Sequence, residues 1–220
     1  MRCKLKKPDT TDGQRLIATL NGRQGISTNI QEILLLGNDK NVSVMCVQEA
    51  DLHIDAFDKV KATAGHLGYT RVHFGHPNEL GITRVATFFK GGAVQYQPKI
   101  SPFDGRYSIS KIDGPGEEQM LLCNLYAHAD NSQAATDMVI RLALALQGTR
   151  MQWMMIGDWN MEQHEDGPAR LAANGLAVSL DDYFRPTNLV ESIRRPLANG
   201  DSIMRWVPGS SSRRRKEYTT

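Results

Sequence analysis

The segment Met154-Met155-Ile156-Gly157-Asp158-Trp159-Asn160 constrains this chain more than any other. It is an apolar, strand-like run that stops on a carboxylate and a carboxamide two residues apart. Side chains alternate along a strand, so Asp158 and Asn160 are expected on the same side of a sheet. A buried strand with such an end suits a site that handles phosphate. Other β-prone runs also end in polar residues: Leu20 precedes Asn21, Val47 precedes Gln48-Glu49, and residues 121–126 lead into Tyr126-Ala127-His128. Polar groups gathered at strand ends are where α/β sheets place their ligands.

Helical runs separate several of these strands. Ile30, Ile33, Leu34 and Leu36 recur at helical spacing over residues 28–36, with Gly37-Asn38 as the stop signal. A second helix is expected over 54–67, with Ala56, Phe57, Val60, Ala64 and Leu67 on one side, and a third over 133–146. Strands are expected over 16–20, 42–47, 71–74, 85–89, 93–96, 107–112, 120–126 and 153–156, several of them bounded by Gly, Pro and Asp clusters. This order predicts an α/β sandwich of two mixed β-sheets flanked by helices.

The 220 residues fit one domain over 15–207, preceded by a polar, basic arm over 1–14 and followed by a basic tail over 208–220. The cluster Arg213-Arg214-Arg215-Lys216 reads as a solvated tail, or as one that tracks phosphates or directs nuclear import. Cys3, Cys46 and Cys123 are odd in number and unrelated in spacing, which points away from a disulfide scaffold and toward a reducing compartment. No export signal and no run of roughly 18 apolar residues stands out, so an intracellular protein, cytoplasmic or nuclear, with no membrane partner is expected. A net charge of +2 neither demands nor excludes a polyanionic partner.

Magnesium takes oxygen ligands and keeps several waters, so one or two carboxylates plus a carboxamide suffice to hold it. The ordered set Thr19-Leu20-Asn21, Val47-Gln48-Glu49, Asn124-Leu125-Tyr126 and Gly157-Asp158-Trp159-Asn160 resembles the endonuclease/exonuclease/phosphatase superfamily. That superfamily includes DNase I-like nucleases, abasic-site and retroelement endonucleases, and inositol-phosphate phosphatases. The resemblance spans roughly residues 15–165. It implies a DNase I-like sandwich and hydrolysis of phosphodiesters, with nucleic acid, DNA before RNA, as the partner. By the same resemblance Glu49 would be the main magnesium ligand, with manganese as a substitute ion, and Asn21 would assist. Asp158 would orient or activate the attacking water, Asn160 would hold phosphate or metal, and Tyr126 would contact phosphate. Plainer roles stand beside these: a turn residue for Asn21, a carboxylate at a helix start for Glu49, a strand aromatic for Tyr126, and a Gly-Asp turn for Asp158. Arg84 reads as a solvated arginine near a strand end or as a phosphate contact.

The family usually closes on a strand ending in Ser-Asp-His. This chain contains no Asp-His pair, and His164 follows Asn160 by only four residues. The expectation is therefore a domain lacking its final strands and impaired in catalysis, since loss of a general acid/base typically lowers rates by about 10²–10⁴. His128 is a nearby substitute, or simply a loop histidine. Residues 201–207 resemble a degraded penultimate strand. Three other readings remain: a catalytically dead remnant that binds nucleic acid or protein, a small-phosphoester phosphatase, and a histidine-based metallohydrolase using His73 and His76 or His128 and Asp130.

Overall fold

The computed structural model describes residues 15–22, 26–100, 103–113, 119–149, 151–160 and 202–206. The first sheet is built from β1 (Arg15–Asn21), β2 (Val44–His53), β3 (Arg71–Phe74), β4 (Ile82–Phe89) and β9 (Ser202–Trp206) in the order β3-β4-β2-β1-β9. The second contains β5 (Ala93–Tyr96), β6 (Tyr107–Asp113), β7 (Gln119–Tyr126) and β8 (Gln152–Asp158) in the order β5-β6-β7-β8. Two pairs are parallel, β1 with β2 and β7 with β8, and the remaining pairs are antiparallel. This is the mixed two-sheet sandwich that the element order predicts. β9 gives β1 a partner on its outer side. The arm, the tail with Arg213–Lys216 and His164 fall outside the described residues.

Each sheet carries helices on its outer face. α1 (Ile30–Asp39) and α2 (Phe57–His66) pack Ile30, Ile33, Leu34, Val60 and Ala64 against Met45, Val47 and Phe88 of the first sheet. α3 (Ser132–Gln147) covers the second through Met138, Val139, Leu142 and Leu146, which meet Leu121, Cys123 and Leu125. Period-2 alternation then turns Met120 and Leu122 of β7 inward, against Ile17, Val44 and Cys46 across the sandwich. Burial raises both Cys46 and Cys123 far above ordinary thiols, with the charge of Cys46 adding to the rise at Cys123, so neither is nucleophilic.

Two boundaries depart from expectation. α1 runs through Gly37 to Asp39 instead of stopping there, and Gly37 serves packing, since the Tyr69 hydroxyl and Met45 occupy the space a Cβ would need. The second helix is a short 3₁₀ turn (Ile54–Ala56) followed by α2, with its expected apolar face intact.

Between the sheets, the layer changes from apolar to polar along the strands. Thr19 donates to Gln48 Oε1 at 3.0 Å, Gln48 Nε2 donates to Asn124 Oδ1 at 2.7 Å, and Asn124 Nδ2 donates to Ala86 O and Thr87 Oγ1 at 3.1 Å each. Asn124 is 0% exposed, and these bonds satisfy it fully while crossing from one sheet to the other. A buried network of this kind admits one register of the two sheets, because any slip leaves amides unpaired in a low-dielectric layer.

His73 sits in the same layer, with Nδ1 2.7 Å from Ser110 Oγ and its ring 5.0 Å from Phe89. Burial first, and Arg71 second, push its pKa down to about 4. The ring is therefore neutral in the fold, while the unfolded chain binds a proton near its ordinary 6.5. Stability contributed by neutral His73 is complete above pH 6.5 and is lost as pH falls toward 4. Acid melts from pH 7 to pH 4 should show His73→Gln losing less stability than the parent, by roughly 2 kcal/mol after allowing for partial solvent access. Parallel losses would show that His73 is not the acid-sensitive group.

Candidate active site

The two parallel strand pairs end at one edge of the sandwich, and that edge is where the chemistry collects. In the first sheet, Asn21 closes β1 beside Gln48 of β2. The chain turns hard against β2 immediately afterwards. Gly22 N–H donates to Gln48 O at 2.6 Å, and a Cβ at Gly22 would lie 2.6 Å from Ile26 and 2.9 Å from that carbonyl.

Glu49 is not at a strand end, as the sequence led us to expect, because β2 continues to His53. It sits in a bulge. The β2–β4 register passes from Gln48↔Val85 to Leu52↔Thr83, so Glu49, Ala50 and Asp51 face the single residue Arg84. Glu49 (φ 49°) and Asp51 (φ 39°) are both left-handed. Non-glycine residues there cost on the order of 1–3 kcal/mol each, and such strain concentrates at functional sites.

In the second sheet, Tyr126 and Asp158 are the final residues of β7 and β8 and are direct partners in the parallel register. Gly157 makes that pairing feasible. Its φ is 144°, and a Cβ would collide with the carbonyl oxygen of Leu125. Trp159 then buries its ring in the core beneath α3 and anchors the turn that follows.

Across the gap between the sheets, Asn21 Nδ2 donates to Glu49 Oε1 at 2.8 Å and to Asp158 Oδ2 at 3.2 Å. Tyr126 lies near enough to Glu49 for that carboxylate to raise its pKa. Asn160 N–H donates to Asp158 Oδ1 at 3.2 Å, and Asn160 Nδ2 donates to Ala127 O at 2.8 Å. All five residues singled out from the sequence thus meet. The expected reason for one of them is corrected. Strand alternation does not bring Asn160 beside Asp158, because β8 ends at Asp158 and Asn160 is left-handed (φ 46°). A turn folds its N–H back onto the carboxylate.

Burial raises the pKa of Asp158, and the charge of Glu49 adds to the rise, while hydrogen bonds from Asn160 N–H and Asn21 Nδ2 oppose it. Tyr126 is raised by burial, then by Glu49, with Arg106 opposing. Two half-buried carboxylates tied through one carboxamide form an oxygen-rich donor set, which suits a hard divalent cation. Among the described residues, no group of three or more His, Cys, Asp and Glu could hold a metal, and buried His73 is committed to Ser110. A histidine-based metal centre has no support there.

Arg106 was missed from sequence. Its guanidinium carbon lies 5.2 Å from the Tyr126 ring centroid, Nη1 donates to Ala127 O at 3.5 Å, and its buried Nε has no hydrogen-bond partner. A left-handed turn places it: Phe103, Asp104 and Gly105 have φ of 48°, 53° and 75°, and Gly105 O accepts from Thr83 Oγ1 at 3.3 Å. The readable signal was an Asp-Gly turn delivering an arginine at the start of a strand. Arg84, in contrast, is ion-paired to Asp51. His128 is half-buried, with its pKa lowered by burial and by Arg106.

The two mixed sheets and their flanking helices define the fold as a DNase I-like α/β sandwich. Among solved structures, an AP endonuclease from Archaeoglobus fulgidus is similar at TM-score 0.59 and 17% identity, covering 87% of this chain and 86% of that one. The human Nocturnin catalytic domain matches at 0.52 and 15%, over 88% and 82%. The endonuclease domain of TRAS1, a telomere-specific non-LTR retrotransposon, matches at 0.53 and 12%, over 86% and 83%. No protein-family model matches the sequence, and no curated protein does.

Proposed function

We propose that this chain is a divalent-metal-dependent phosphodiester hydrolase acting on nucleic acid, with magnesium as the ion and manganese as its substitute. The observation that carries the reading is the junction of Glu49, Asn21 and Asp158 at the carboxyl ends of both parallel strand pairs. Glu49 and Asn21 would hold the ion, which when bound stabilises charge on phosphoryl oxygens. Asp158, with its raised pKa, is suited to take a proton from the attacking water. Asn160 keeps that carboxylate in place, and Tyr126 with Arg106 offers a phenol and a cation to the phosphate. Several of the similar structures are named as endonucleases, among them an AP endonuclease and the endonuclease domain of a retrotransposon, and on that ground DNA is proposed ahead of RNA.

The second reading is the same site binding nucleic acid without cutting it. Plasmid, abasic duplex, RNA and inositol phosphate, each incubated with magnesium, separate the two when Glu49→Gln serves as the control. Cleavage of a DNA substrate above that control is expected. Binding without cleavage of any substrate would install the second reading, and release of phosphate from the inositol ester alone would replace nucleic acid with a small phosphoester. No helix of the described residues is long and apolar enough to cross a membrane.

A further inference from the structure

We propose that the Asp51–Arg84 ion pair is a clamp that holds Glu49 facing the site, which makes Arg84 a positioning residue for the metal-binding carboxylate. The proposal rests on the reading of Glu49 as a metal ligand. Three residues of β2 bulge opposite Arg84, and two of them, Glu49 and Asp51, are left-handed without being glycine. Such a backbone relaxes toward extended geometry unless its surroundings over-determine it.

The inner side of the bulge is pinned by the segment after β1. Gly22 N–H bonds Gln48 O at 2.6 Å and Ile26 N–H bonds Ala50 O at 3.0 Å, with Ala50 fully buried. On the β4 side the tie is the Arg84 guanidinium on Asp51, and both side chains are about one-third exposed. An exposed ion pair is ordinarily of little consequence. This one spans a bulge whose shape directs Glu49 toward Asn21 and Tyr126, so small backbone relaxation is enough to break the 2.8 Å bond from Asn21. Groups that orient a metal ligand typically change metal affinity by about 10–100-fold when removed.

The test uses the full chain with Arg84→Met, Arg84→Lys and Asp51→Asn. In metal-free protein, the side-chain amide resonances of Asn21 report its bond to Glu49, and those of buried Asn124 serve as an internal control. Arg84→Met and Asp51→Asn should move the Asn21 resonances and leave those of Asn124 in place, with Arg84→Lys returning part of the shift. Manganese affinity, read by electron paramagnetic resonance, should weaken roughly 10-fold or more in the first two variants. If Arg84→Met does not fold, Asp51→Asn decides, since it keeps the side-chain shape. Unmoved Asn21 resonances in a folded variant overturn the clamp. Failure of the unmodified chain to bind manganese overturns the metal reading instead, and the amide shifts still judge the clamp.

Discussion

Asp158→Asn is expected to lower kcat for phosphodiester cleavage by about 10²–10⁴-fold, because the amide cannot take a proton from water. On the proposed function, the unmodified chain should lose activity as pH falls through the raised pKa of Asp158, and the variant's residual rate should lack that acid limb. Stability should move differently. A carboxyl whose pKa is raised by folding favours the fold below its ordinary 3.8, and that advantage disappears as pH rises through the folded value. At neutral pH the partly buried charge therefore opposes folding. The Asn variant keeps an oxygen for one donor and sheds that charge, so its melting temperature should stay close to the parent's. Unchanged kcat would remove Asp158 from the chemistry, whereas a collapse in melting temperature would show its role to be structural.

The largest expected loss of stability comes from a single methyl group, in Gly157→Ala. The new Cβ would meet the Leu125 carbonyl oxygen and lie 2.9 Å from its carbon, at a φ of 144° that L residues rarely adopt. Backbone atoms cannot rotate away as a side chain can. Strand β8 must separate from β7 or change register, at a loss on the order of 4 kcal/mol. For a domain of this size the melting temperature should fall by roughly 10 °C. The same displacement separates Tyr126 from Asp158, so cleavage should fall with stability. Gly65→Ala is the companion control: nothing lies within 4 Å of its Cβ, and this α2 position should gain up to about 1 kcal/mol. A Gly157→Ala protein melting within about 2 °C of the parent would show that the turn can open without strain.

Much of the architecture was legible because its signals are local. Helical spacing in α1, α2 and α3 and strand-like runs in β1, β4 and β7 reflect faces that each element must bury, and these patterns survive in the sequence. Gly37 misled because a close approach by Tyr69, distant in the chain, gives it a packing role within a helix. Glu49 misled in a similar way: nothing in Val47-Gln48-Glu49-Ala50-Asp51 announces a bulge, which is a property of β2 and β4 together. Arg106 went unread because its significance depends on Tyr126 lying beneath its guanidinium.

By itself, the sequence determined the order of strands and helices, and it marked Asn21, Glu49, Tyr126, Asp158 and Asn160 as the polar punctuation of apolar runs. Side-chain periodicity is a short-range property, and it can specify which face a residue takes but not what that face meets. Only the tertiary structure brought Asn21 to Asp158 across 137 positions of chain, at 3.2 Å. Parallel pairing sent both strand pairs to one edge, and the buried Thr19–Gln48–Asn124–Thr87 network fixed how the two sheets align. Left-handed turns at Glu49 and Asn160 then aimed the side chains. Those conformations are unfavourable locally and persist because surrounding contacts over-determine them, which is why no local reading of the sequence could have found them.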